Sequence, residues 1–169
     1  MSIAIWFTLA ACLVASYSDV QSRRIPNWLT GSLAIAAVVV NGLGGWRALG
    51  LSLLVIAIMT IGGTLLYSRG GIGGGDIKLA IAGSGMLSWP LCLPFLLYTA
   101  IGGGLLAVIF LINRGGARAT AQRVALMTVG GVNGMAAQSG TLPYAVAFAF
   151  GAVLVALGQT VAPFLRIHI

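Results

Sequence analysis

Apolar runs separated by a few charged residues dominate the chain, and their spacing sets the scale of its elements. A helix needs about 20 mostly apolar residues to cross the hydrocarbon layer of a bilayer. The charged positions cut the chain into pieces near that length, predicting six spans at residues 2–18, 27–44, 47–67, 77–89, 91–112 and 141–162. The fourth is short. It parts from the fifth because Trp89, Pro90 and Pro94 interrupt the uncharged stretch from Leu79 to Asn113, and proline continues a helix poorly. Residues 124–140, with Gly130, Gly131, Asn133, Gly134, Gln138 and Gly140, read as an interfacial or re-entrant segment, with a seventh crossing as the alternative. The pattern predicts an all-α fold: a polytopic transmembrane helical bundle of about six spans, forming one integral-membrane domain over residues 1–169.

Composition strengthens that expectation. Of 169 residues, 59% are hydrophobic and 7% charged, too few polar groups to cover a water-soluble fold. The 25 glycines suit membrane helices, where small residues let backbones approach closely. No charged residue precedes Asp19, so the opening run from Met1 to Tyr17 lacks the basic flank of a secretory signal and is expected to remain as a span. Cys12 and Cys92 each sit alone in apolar sequence, signalling helix packing and neither a disulfide framework nor a zinc site.

With six spans, Arg23, Arg24, Arg69, Lys78, Arg114, Arg118 and Arg123 fall on one side and Arg47 and Arg166 on the other. Cytoplasmic loops carry the excess of Lys and Arg, which places the connections after spans one, three and five in the cytoplasm and both termini outside. The net charge of +7 therefore reflects orientation in a lipid bilayer. These cations border spans and form no stripe with interleaved aromatics, so no nucleic-acid partner is expected.

Scarcity of acids narrows the chemistry. The chain holds two carboxylate side chains, Asp19 and Asp76, and one histidine, His168, next to the last residue. A Ser or Cys nucleophile would need an imidazole within reach, and His168 lies at the far, outer end. A metalloprotease would need several His or carboxylate ligands, so no metal or cofactor is expected. What remains is a pair of aspartates at one predicted depth, Asp19 ending the first span and Asp76 opening the fourth. Such a pair can activate water: one ionised carboxylate takes its proton while the protonated partner hydrogen-bonds the carbonyl under attack. Asp76, at a helix start with Lys78 nearby, suits the base, and Asp19, near a helix end, suits the proton holder, although Arg23 and Arg24 pull the other way. The competing assignment makes one aspartate a helix cap and the other a partner of Arg23 or Lys78.

Around the second acid the chain reads Gly70, Gly71, Ile72, Gly73, Gly74, Gly75, Asp76, Ile77, Lys78, Leu79. Such a run can bend sharply through positive φ and let a peptide lie beside the acid, with a flexible loop as the plainer alternative. No Gly-Lys-Ser/Thr ending follows, so it is unlike a phosphate-binding loop. Gly73, Gly74, Gly75, Asp76 resemble the Gly-x-Gly-Asp motif of intramembrane-type aspartyl proteases, and the following Lys78 resembles the type IV prepilin peptidase branch. Asp19 followed by Arg24, Ile25, Pro26, Asn27 is similar to that family's first motif, and Pro143 and Tyr144 resemble the opening of its last span.

The resemblance implies an aspartyl endopeptidase that removes a basic leader from prepilin-like precursors, just before their hydrophobic segment, at the cytoplasmic face of the prokaryotic inner membrane. It implies catalytic roles for Asp19 and Asp76, supporting roles for Gly73, Gly75 and Lys78, and a turn-shaping role for Pro26 and Asn27. Longer members carry a cysteine-paired cytoplasmic insertion and also methylate the new N-terminus. This chain lacks both, resembling the short branch of tight-adherence (Flp-type) pili, for which peptidase activity without methyl transfer is implied. Archaeal preflagellin peptidases share the motifs. A transporter subunit relaying protons through the two acids, or an inactive assembly scaffold, are the non-enzymatic alternatives. The sequence sets no oligomeric state.

Overall fold

The computed structural model describes residues 3–69, 73–113 and 145–166. Five helical elements occur among them: α1 (Ile3–Ser22), α2 (Asn27–Leu43), α3 (Trp46–Ser68), α4 (Gly74–Asn113) and α5 (Ala145–Arg166). Three helical stretches are long and apolar enough to cross a membrane, Ile3–Ser22, Trp46–Ser68 and Gly74–Ile109, while Asn27–Leu43 and Ala145–Gln159 are shorter apolar helices. The fold is thus all-helical. The expected six spans become five elements because 77–89 and 91–112 belong to one element, α4, broken internally.

That break lies at Ser88 (φ 55°, ψ −175°) and Trp89 (φ −75°, ψ 139°). Past it the chain turns back. Residues 83 and 95 would stand about 18 Å apart on a straight helix, yet a Cβ on Gly83 would lie 3.1 Å from the Phe95 ring. The two arms, residues 74–87 and 90–113, therefore pack side by side. A broken helix leaves carbonyls unpaired, and Pro90 has no N–H to offer Met86. Neighbouring helices supply the donors: Ser52 Oγ reaches Gly85 O at 2.8 Å, and Asn41 Nδ2 lies 3.3 Å from both Gly85 O and Met86 O. This explains a fully buried serine in α3.

The core runs between α1, α2, the two arms of α4 and α5, with Phe95 and Phe148 at a ring separation of 6.0 Å. Close approach of α4 and α5 requires glycine: a Cβ on Gly151 would strike Thr99 Oγ1 and lie 3.0 Å from Phe95 O. Cys12 and Cys92 are buried and unpaired. Elsewhere the surface is apolar, with Trp28, Ile35, Leu43, Trp46 and Ile61 all exposed, a surface suited to lipid. The outermost helix is α3, of which Ser52 and Val55 alone are buried.

Two boundaries differ from expectation in ways that matter for the acids. The first helix runs four residues past the predicted end at 18, to Ser22, so Asp19 lies in its last turn. There Arg23, at φ 51°, closes it by donating its N–H to Asp19 O at 2.9 Å. The fourth helix begins at Gly74, not at 77, so Gly74 and Gly75 are helical. The expectations for residues 124–140, for Pro143 and Tyr144, for Gly70 and Gly71, and for Arg114, Arg118, Arg123 and His168 fall outside the described residues.

Candidate active site

Asp19 is buried, and its Oδ2 accepts the Ala145 N–H at 3.2 Å. Ser16, three residues earlier on the same face of α1, directs its hydroxyl to Ala145 O and to Cys12 O, both at 2.8 Å. The first residue of α5 is thus held on α1 at both its N–H and its C=O. Helix N-terminal amides lack intrahelical acceptors, so Asp19 satisfies a group that would otherwise be stranded. The capping assignment is correct for Asp19 in this sense.

Asp76 stands half-buried in the first turn of α4, where a carboxylate complements the positive end of the helix. The glycines before it act by their size. A Cβ on Gly73 would lie 2.9 Å from Asp76 Oδ2, one on Gly74 3.4 Å from the Tyr67 ring, and one on Gly75 3.3 Å from Ile25 Cβ. Positive φ is not their purpose: among the described glycines it occurs at Gly45. Of the run expected to bend, Gly74 and Gly75 form a helix start packed tightly against the end of α3 and the residues leading into α2, and Gly70 and Gly71 lie outside the described residues.

Those leading residues are fixed as well. Pro26, extended at φ −64° and ψ 133°, precedes α2, and its carbonyl receives the Leu29 N–H at 3.1 Å. Ser18 Oγ donates to Arg24 O at 3.0 Å, tying the turn back to α1. Lys78 Nζ donates to Asn27 Oδ1 at 2.9 Å, joining the two motifs directly. Lys78 therefore serves an amide, not the aspartate that the competing assignment gave it.

These links gather the end of α1, the start of α2, the end of α3 and the starts of α4 and α5 at one end of the bundle. Asp19 and Asp76 both lie at that end, within range of each other's charge. Asp76 also lines a cavity of about 510 Å³ between α3, both arms of α4 and α5. Apart from Asp76 and Thr99 its walls are apolar side chains and glycines. Pro26, Asn27, Gly73, Gly75 and Lys78 are not among its lining residues.

A bundle of apolar helices with two carboxylates at one end, one on the wall of an apolar cavity, is the architecture of an integral-membrane helical protein. The chain belongs to the type IV leader peptidase family, whose model matches residues 6–108, a stretch holding both aspartates. It is accordingly a protease of the leader-peptidase kind. No curated protein and no solved structure matches the chain.

Sequence reasoning did not find Ser16, Thr99 or the Ala145 amide. Ser16 carried a usable signal, a hydroxyl one turn before an acid on the same helix face. A backbone amide carries none.

Proposed function

We propose that Asp19 and Asp76 are the catalytic pair of an aspartyl endopeptidase that cuts the basic leader from prepilin-like precursors at the cytoplasmic face of the inner membrane. The observation that carries this reading is that the chain's two side-chain acids, 57 positions apart in sequence, lie at one end of the bundle, with Asp76 on the wall of an apolar cavity. One carboxylate removes a proton from water as the water oxygen bonds to the peptide carbonyl carbon. The protonated partner hydrogen-bonds the carbonyl oxygen as it gains charge, then supplies the proton that lets the amine leave as the C–N bond breaks. No covalent intermediate forms on the protein.

The proposal extends to the short tight-adherence branch, to peptidase activity without methyl transfer, and to a topology in which each arm of α4 crosses the membrane, giving six crossings. The test is co-expression with a precursor carrying a basic leader and an apolar segment. The wild type shortens the precursor, and Asp19→Asn and Asp76→Asn each lower the rate by about 10²–10⁴-fold or more. A precursor of unchanged size with the wild type, or full processing by either variant, rejects the proposal in favour of a scaffold or an ion-relay subunit.

A further inference from the structure

Hydroxyls within these helices commonly satisfy themselves on their own turn. Thr8, Thr60 and Thr64 each donate only to the carbonyl four residues back, among the described residues. Ser16 departs from this pattern. Its hydroxyl stands 2.8 Å from Cys12 O on its own helix and also 2.8 Å from Ala145 O, 129 positions along the chain. A hydroxyl carries one proton, so that proton is shared between a local acceptor and the first carbonyl of another helix. The carbonyl has room for it, because an oxygen with two lone pairs serves the N–H of its own helix and one donor besides.

The Ala145 amide completes the link. Among the described residues it is the one donor that reaches the Asp19 carboxylate, at 3.2 Å from Oδ2. Ser16 and Asp19 share a face of α1, whereas the N–H and C=O of a helical residue point in opposite directions along its axis. Asp19 meets the N–H and Ser16 the C=O, the order expected where two helices run in opposite directions. Ala145 and Asp19 are both buried, so the carboxylate takes its direction from this residue more than from solvent.

We infer that Ser16 is a positioning residue for Asp19: its hydroxyl fixes the first residue of α5, and the amide of that residue aims the carboxylate. The inference rests on the proposed peptidase reading and deepens it, because α5 lies beyond the matched residues 6–108 and yet contributes a group to the acid site. Ser16 does not line the cavity at Asp76, so its effect passes through Asp19 and falls on the chemical step and not on substrate binding. Removing the hydroxyl strands no carbonyl, since Cys12 O and Ala145 O each lie inside a helix and keep the N–H four residues on. The reaction is more sensitive than the fold: a shift near 1 Å at a reacting group lowers rates by about 10²-fold.

Wild type, Ser16→Ala, Ser16→Val and Ser16→Thr, purified in lipid nanodiscs, are given a precursor with a basic leader and an apolar segment. Ser16→Ala and Ser16→Val lower kcat by about 10- to 100-fold, with KM and melting temperature close to wild type. Ser16→Thr has the shape of valine and the hydroxyl of serine, and it restores most of the rate. Unchanged kcat in Ser16→Ala, a rise in KM in place of the fall in kcat, or equal rates for the Thr and Val variants overturns the inference. A second measurement needs no turnover. Hydrogen exchange of the Ala145 amide, followed by NMR on alanine-labelled protein, is slow in the wild type although this residue opens a helix. Asp19→Ala and Ser16→Ala each speed it about tenfold, as for loss of one hydrogen bond, and Ser16→Thr does not. Exchange at Ala145 that ignores Ser16→Ala overturns the inference. If the wild type leaves the precursor whole, the peptidase reading fails, and exchange still decides whether Ser16 holds the amide on Asp19.

Discussion

Asp76 Oδ2 lies 2.9 Å from where a methyl group on Gly73 would stand, inside ordinary contact distance, and that contact sets what a minimal substitution does. Gly73→Ala pushes on the free end of a flexible carboxylate, so the fold yields at little cost while the acid shifts. A displacement near 1 Å at a reacting group lowers rates by about 10²-fold. The expected result is a loss of that order in precursor cleavage with a melting temperature close to wild type. The pair Lys78 and Asn27 gives a graded test of the junction between the motifs. Asn27→Ala removes the acceptor and lowers cleavage by roughly three- to tenfold, a modest effect because the contact is exposed. Asn27→Asp keeps an acceptor for the ammonium, and cleavage returns towards wild type.

Among the elements, α4 carries the most consequence, since its break allows one element to supply both the helix start that bears Asp76 and the far wall of the cavity. The break is tolerable in an apolar interior because Ser52 and Asn41 cover the freed carbonyls. Ser52→Ala leaves Gly85 O to the longer Asn41 contact and costs about 1 kcal/mol of stability; combined with Asn41→Leu the loss approaches about 3 kcal/mol. Unfolding in detergent micelles, followed by helical circular dichroism, measures both. An unchanged unfolding midpoint in the double variant would show that the carbonyls are satisfied in another way.

For the molecule as a whole, orientation in the bilayer decides which compartment the acids serve. Arg23, Arg24, Arg69 and Lys78 are exposed and border the end that holds the acids, and Arg47 is exposed at the opposite end. Positive residues are retained on the cytoplasmic side. Cysteines introduced by Arg24→Cys and Arg69→Cys are therefore expected to react with a membrane-impermeant maleimide only after the membrane is opened, and one introduced by Arg47→Cys to react in intact cells. The native thiols, Cys12 and Cys92, are buried and contribute little background. The reverse labelling pattern would turn the acid pair outward and exclude a leader-cutting role in the cytoplasm.

Apolar run lengths, charge spacing and the rarity of acids settled much on their own: a helical membrane architecture, the places where Trp89 and Pro90 interrupt a helix, and Asp19 and Asp76 as the two acids that any carboxylate chemistry must use. These properties depend on transfer between water and hydrocarbon and on backbone geometry, which act residue by residue and survive in a linear string. The folding back of α4, the amide of Ala145 on Asp19, the Lys78 bridge to Asn27, the tight packing that glycines 73–75 permit and the cavity beside Asp76 depend on which helices meet and at what separation. Contacts between side chains dozens of positions apart arise from the packing of all five elements together, so tertiary structure alone decided them.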